Sequence, residues 1–262
     1  MLSKLLKNDL RKNMRWLWVL FIGTIVVAGI TRGCKELGEN IMFFKILGIF
    51  FDSVFYALLV NVILQPFLRN FLNFAKSFYS DESYLTHTLP VTKKQLINSK
   101  YITALIEIVL GFLTLVISLL IMFGSPTMLD TLKLLLSMMI SGDFSVTLLL
   151  VLFVLFVIIE FLMFISIIYY SIVVAYRSKE KRVLRTFLIT AAMSFASMTV
   201  LGIIMIIVLA INGVSLNSAM TVLPSAAVLS VVITGMVVYL GISILFYFLA
   251  RKEFIKGVDV TN

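Results

Sequence analysis

The sequence predicts an all-α polytopic integral membrane protein with six transmembrane helices, and three observations carry that prediction. Hydrophobic residues make up 61% of the 262 residues and charged residues only 13%, against roughly 45–50% and about 25% in soluble domains. So little charge cannot cover a water-soluble surface. The apolar residues also gather into six runs near or above the ~20 residues that cross a bilayer. Finally, the Lys and Arg residues fall almost entirely on alternate connections between those runs.

Taken in order, the runs cover 16–31, 41–68, 101–123, 144–175, 187–211 and 222–250, within one transmembrane domain spanning 1–262. Several are longer than a bilayer requires, so tilt or continuation into the interface is expected. Lys and Arg number five before the first run, five between the second and third, five between the fourth and fifth, and three after the sixth. Only Arg32, Lys35, Lys45 and Lys133 lie on the other side. Eighteen against four places both termini in the cytoplasm by the positive-inside rule. The net charge of +9 is then a membrane-topology signal and implies no nucleic-acid partner. The basic start and the small residues Val27-Ala28-Gly29 also fit a cleavable leader, but the run serves equally as a first span and is read as one.

Two further helices are expected outside the spans. Residues 1–15 carry Leu2, Leu5, Leu6, Leu10 and Met14 as an apolar stripe among five basic residues. This predicts an amphipathic helix at the interface, favoured by anionic membrane lipids. Residues 126–141 begin with Ser125 and Pro126 as cap and first position and are followed by Gly142. At 1.5 Å per residue they reach about 24 Å, short of a ~30 Å core. They are read as an external helix on the membrane surface.

Several chemistries are excluded. None of the 13 glycines precedes a lysine, so no phosphate-binding loop of the Walker type exists. His87 is the only histidine and Cys34 the only cysteine, which leaves no zinc constellation, no Ser-His pair within the membrane and no disulfide. An aspartyl protease needs two membrane aspartates, and only Asp52 falls in a span. The chain is read as a non-enzyme, with no catalytic residue, metal or cofactor of its own.

The most distinctive stretch is SDESYLTHTLPVTKKQLINSK, residues 80–100. Thr92 and Gln95 form a capping box, so a helix is expected to start there and run into the third span. Pro90 keeps the residue before it extended. Tyr84, Leu85, Leu89 and Val91 are apolar groups a mere linker would not need, and beside charges they suit a docking surface. This loop resembles that of type-2 ATP-binding-cassette (ABC) permeases of Gram-positive bacteria. The resemblance rests on Asp81, Glu82, Tyr84, Leu85, Thr86, Leu89, Pro90, Val91, Ser99 and Lys100. It implies that Asp81, Glu82, Tyr84, Leu85, Leu89 and Pro90 belong to a short cytoplasmic coupling helix seated on a separate ATPase subunit. ATP and Mg would be bound there, and a second permease subunit would complete the exporter. A bacterial plasma membrane, and a peptide, drug or lipid-like substrate, are implied in the same way. Two rival readings remain: an ion- or proton-coupled transporter or channel subunit outside that family, and a membrane protein that binds a toxic peptide without transporting it.

Three acids fall within spans, where each should face protein or water. Glu107 shares a face with Thr103, Gly111, Thr114 and Ser118, a stripe that suits either helix packing or a substrate-facing wall. Asp52 lies on the Lys45, Gly48, Tyr56 stripe, and a pair with Lys45 would require the lysine to bend inward rather than snorkel outward. Asn61 and Gln65 are expected to hydrogen-bond inside the bundle. Glu160 has no charged neighbour on its own helix. Ala192 and Ala196 in the fifth span, and Ala226, Ser230 and Thr234 in the sixth, are expected to be close-packing stripes.

Overall fold

A computed structural model describes residues 2–38, 41–79, 91–124, 130, 133–134, 140–141, 145–176, 181–214 and 223–257. Six long helices dominate: α1 (Leu2–Gly38), α2 (Met42–Tyr79), α3 (Lys93–Phe123), α4 (Val146–Ala175), α5 (Arg182–Ile211) and α6 (Ser225–Gly257). All six are long and apolar enough to cross a membrane. The chain is a multi-pass membrane protein.

Every helix except α4 overruns its predicted apolar run at one or both ends. The 38 residues of α2 reach about 57 Å at 1.5 Å per residue, nearly twice a ~30 Å hydrocarbon core. The start of α3 is set by local chemistry. Thr92 accepts from the Gln95 amide and the Gln95 side chain returns a bond to the Thr92 amide, the reciprocal box expected from the sequence. α4 opens on Ser145, whose side chain accepts from the Leu148 amide.

Packing divides the chain into two compact units, residues 1–128 and 129–262. In the first, α1, α2 and α3 all pack on one another. Contacts between α1 and α3 keep a nearly constant offset: hydrogen bonds join residues 90 and 91 positions apart at Asp9 and 89 apart at Arg32. The two helices therefore run parallel, and α2 returns antiparallel against both. Met14, Leu17, Phe21 and Val62 form one core layer, and Ala28, Phe55 and Met122 another.

In the second unit α4 packs on both α5 and α6. Met163, Ile167, Tyr239 and Phe246 form the core, with Phe156–Tyr239 and Tyr170–Phe246 ring pairs at 5.4 Å. Gly235 of α6 is buried where it meets Phe156 and Met205. About two turns further along α6, the Ser166 and Ser243 hydroxyls lie 3.0 Å apart, a polar tie of the kind that joins helices in lipid.

The N-terminal residues are helical and lead into the first span without a break: α1 runs from Leu2 to Gly38. Its first turns are held by Asp9 and Asn13, whose side chains bond to α3 and α2. Val27-Ala28-Gly29 lies in mid-helix, with Ala28 fully buried. Several expectations are corrected. The external helix does not reach residue 141. Ile140–Ser141 is instead a two-residue strand, β1, paired in parallel with β2 (Leu223–Pro224). That pairing satisfies backbone groups and buries Ile140. Asp130, Lys133 and Leu134 are helical, and the other residues of 126–139 lie outside the described residues. Asn61 is exposed and bonds the Ala57 carbonyl of its own helix, not a bundle partner. Ala192, Ala196 and Ala226 are exposed rather than packed.

Candidate functional site

The first unit carries a polar seam between its helices, built from residues far apart in sequence. At one end Asp9 of α1 binds α3 twice. Its Oδ1 lies 2.8 Å from Lys100 Nζ, and its Oδ2 accepts from Ser99 Oγ at 2.9 Å. One turn along α1, Asn13 Oδ1 accepts from Asn73 of α2 at 2.7 Å. Deeper still, Asn70 donates to Glu107 Oε2 at 2.9 Å and to the Pro66 carbonyl at the same distance. Asn13 lies beside that carboxylate as well. Glu107 is fully buried, and its second oxygen, Oε1, has no hydrogen-bond partner among the described residues.

Local sequence explains why α3 approaches α2 here. Pro66 has no N–H, so the Val62 carbonyl one turn earlier loses its helical donor. Gly111 of α3 lies against that carbonyl: a Cβ there would stand 3.1 Å from Val62 O. The predicted stripe of Thr103, Glu107, Thr114 and Ser118 is buried throughout. Thr114 closes its hydroxyl onto the Leu110 carbonyl. Thr103 Oγ1 and Ser118 Oγ, like Glu107 Oε1, have no hydrogen-bond partner among the described residues.

Asp52 belongs to the opposite end. Its partner is Lys35, at 2.9 Å, not Lys45. Lys35 and Cys34 follow the first apolar run of 16–31, yet they do not lie in a connection: the helix continues to Gly38 and buries Cys34. The Arg32–Glu36 pair at i,i+4 is the sequence signal for that continuation. Arg32 also donates to the Ile121 carbonyl, so about four turns of α3 separate this end from Glu107.

Glu160 lies in the second unit, half-buried on α4. It has no ion-pair or hydrogen-bond partner among the described residues, and lies within electrostatic reach of Tyr239. Asp81, Glu82, Tyr84, Leu85, Leu89 and Pro90 lie outside the described residues. The structure thus joins Glu107 to Asn70, and through α1 to a seam the sequence reading did not identify. It keeps Asp52 apart from Glu107, and Glu160 lies in another unit. No group of three or more metal-ligating side chains occurs among the described residues. Comparison with protein-family models, with curated proteins and with solved structures finds no match to this chain.

Proposed function

We propose that this chain is the transmembrane subunit of an ATP-driven exporter of the ABC type. It works as a dimer beside a separate ATPase, in a bacterial plasma membrane with both termini in the cytoplasm. The observation that carries the reading is the 81–100 segment: an acidic pair, the Tyr-Leu-Thr…Leu-Pro-Val run, then a helix whose first turn is fixed by the Thr92–Gln95 box. Six helices able to cross a membrane, and no Walker phosphate loop anywhere in the sequence, fit a permease whose ATPase is another chain. The distribution of Lys and Arg supports the orientation.

The test is affinity purification of the tagged chain from its native host in mild detergent. A nucleotide-hydrolysing subunit should co-purify in stoichiometric amount. The double substitution Tyr84→Ala, Leu85→Ala should lower its recovery and the hydrolysis it supports while membrane insertion is unchanged. Absence of any such ATPase from the parent complex would sink the proposal. A second reading, coupling to ions or protons, is favoured by the buried Glu107 oxygen that has no partner. Substrate flux in proteoliposomes with an ion gradient and no nucleotide would support that reading instead.

A further inference from the structure

Where α1 passes into α2, the first unit holds a cleft of about 330 Å³ lined by Lys35, Gly38, Lys45, Gly48, Ile49 and Asp52. Two glycines bring its walls together. A Cβ on Gly38 would stand 3.0 Å from the Lys45 backbone, and one on Gly48 3.7 Å from Lys35 Cγ. The charges of the described residues that line the cleft do not cancel. Asp52 is committed to Lys35, which also lies over the Phe123 ring at 5.9 Å. Glu36 is committed to Arg32. Lys45 is exposed and has no ion pair among the described residues. The lining therefore carries one positive charge in excess, on a long side chain at the rim.

The outer wall is apolar. Ile49 lines the cleft and is 64% exposed, and Ile46 and Phe50 beside it are 60% and 61% exposed. At spacings of three and four these residues make one strip along α2, on a helix that spans lipid. A cationic cleft opening onto an apolar strip complements an amphiphile, with its acyl chain along the strip and its anionic head in the cleft. The volume lies at the small end of the roughly 300–1,000 Å³ of ligand pockets, room for a head and not for tails.

We propose that this cleft binds the phosphodiester headgroup of an anionic membrane phospholipid, with Lys45 as its charge partner and the Lys35–Asp52 pair as a neutral floor. The inference does not depend on the function proposed above.

Native mass spectrometry of the full-length chain in neutral detergent tests it, with phosphatidylglycerol, phosphatidylcholine or inorganic phosphate added. Retained phosphatidylglycerol should exceed phosphatidylcholine. Lys45→Gln should lower the phosphatidylglycerol affinity about fivefold, which corresponds to about 1 kcal/mol. Lys45→Arg should retain it, as should Lys133→Gln, which removes a lysine outside the cleft. Equal loss in Lys133→Gln, or no loss in Lys45→Gln, overturns the site. Displacement of the lipid by inorganic phosphate at the same concentration as a short-chain phosphatidylglycerol overturns the lipid assignment. Lys45 is exposed, so its variants should fold, and unchanged thermal unfolding of the lipid-free variants checks this.

Discussion

The strongest test of the first unit is removal of the Asp9 carboxylate. Asp9 holds Lys100 and Ser99 at once, and the two charged side chains are each only 16% exposed. A hydrogen bond to a charged group contributes about 1.5–3 kcal/mol. Asp9→Ala removes two, but not both in full. The Ser99 hydroxyl can close onto the carbonyl four residues back, as Thr114 does onto Leu110, and Lys100 can turn its ammonium toward water. The expected loss is about 2 kcal/mol. Arg32–Glu36 supplies the contrast, since its side chains are 46% and 67% exposed. Such a pair contributes about 0.5 kcal/mol or less. Unfolding titrations of the purified chain in mixed micelles would measure both. A double-mutant cycle of Asp9→Ala with Lys100→Met should give a coupling of about 1 kcal/mol or more. If Asp9→Ala costs no more than Glu36→Ala, or the coupling vanishes, α1 is not tied to α3 in this way and the parallel register of the two helices loses its main support.

Other expectations follow from single contacts. Cys34 is buried against α2, with Gly48 its close neighbour, so maleimide should label it slowly in the folded protein and rapidly after denaturation. Equal rates would contradict the α1–α2 packing. A Cβ at Gly235 would come within 2.6 Å of Met205 Cε and 2.7 Å of Phe156 Cε2. Met205 can yield but the ring cannot, so Gly235→Ala should destabilise by about 1–2 kcal/mol, overpacking exceeding the ~1 kcal/mol gained in helix propensity. Adding Phe156→Leu should recover part of that loss in thermal unfolding, and no recovery would argue against the contact. Glu107→Gln keeps an acceptor for Asn70 whereas Glu107→Leu orphans a buried donor, so the Leu variant should be less stable than the Gln variant by about 1–3 kcal/mol. Equal stability of the two would show that Asn70 does not depend on residue 107.

What could be read from the sequence depended on whether the governing interaction was local. The six helices follow from apolar run length, and the Thr92–Gln95 box lies within four residues. The Thr103–Ser118 stripe is a property of one helix, and its burial is legible from periodicity alone. The partners of those residues are not. Asp9 meets Lys100 across 91 residues and Asn13 meets Asn73 across 60, pairings that exist only once the register of three helices is fixed. The error at Lys35 had a different cause. The apolar run ends near residue 31, but α1 continues to Gly38 with Cys34 buried and Arg32 paired to Glu36, and Gly33 within the helix costs only about 1 kcal/mol. Ala192 and Ala196 were misjudged because small residues at helical spacing fit a helix interface and a lipid-facing surface equally well.

The position of Glu107 follows from the proline beside it. A proline in a membrane helix leaves a carbonyl without its donor, and such a group is tolerated where a neighbouring helix supplies compensation. Gly111 has no side chain to hold α3 away, so its backbone closes over Val62 O. Asn70, one turn beyond Pro66 on α2, donates to the Pro66 carbonyl and to Glu107 with the same amide nitrogen. Glu107 is one turn from Gly111 on α3. The missing donor in α2, the glycine and the buried acid are therefore one arrangement, in which the close approach that covers Val62 O also brings Glu107 to Asn70. Glu160 has no comparable arrangement. Among the described residues nothing donates to its carboxylate, and Gly235 of α6 closes on Phe156 and Met205 instead. The two intramembrane glutamates therefore differ in kind: Glu107 is held by a hydrogen bond within its unit, whereas half-buried Glu160 has no hydrogen-bond partner among the described residues.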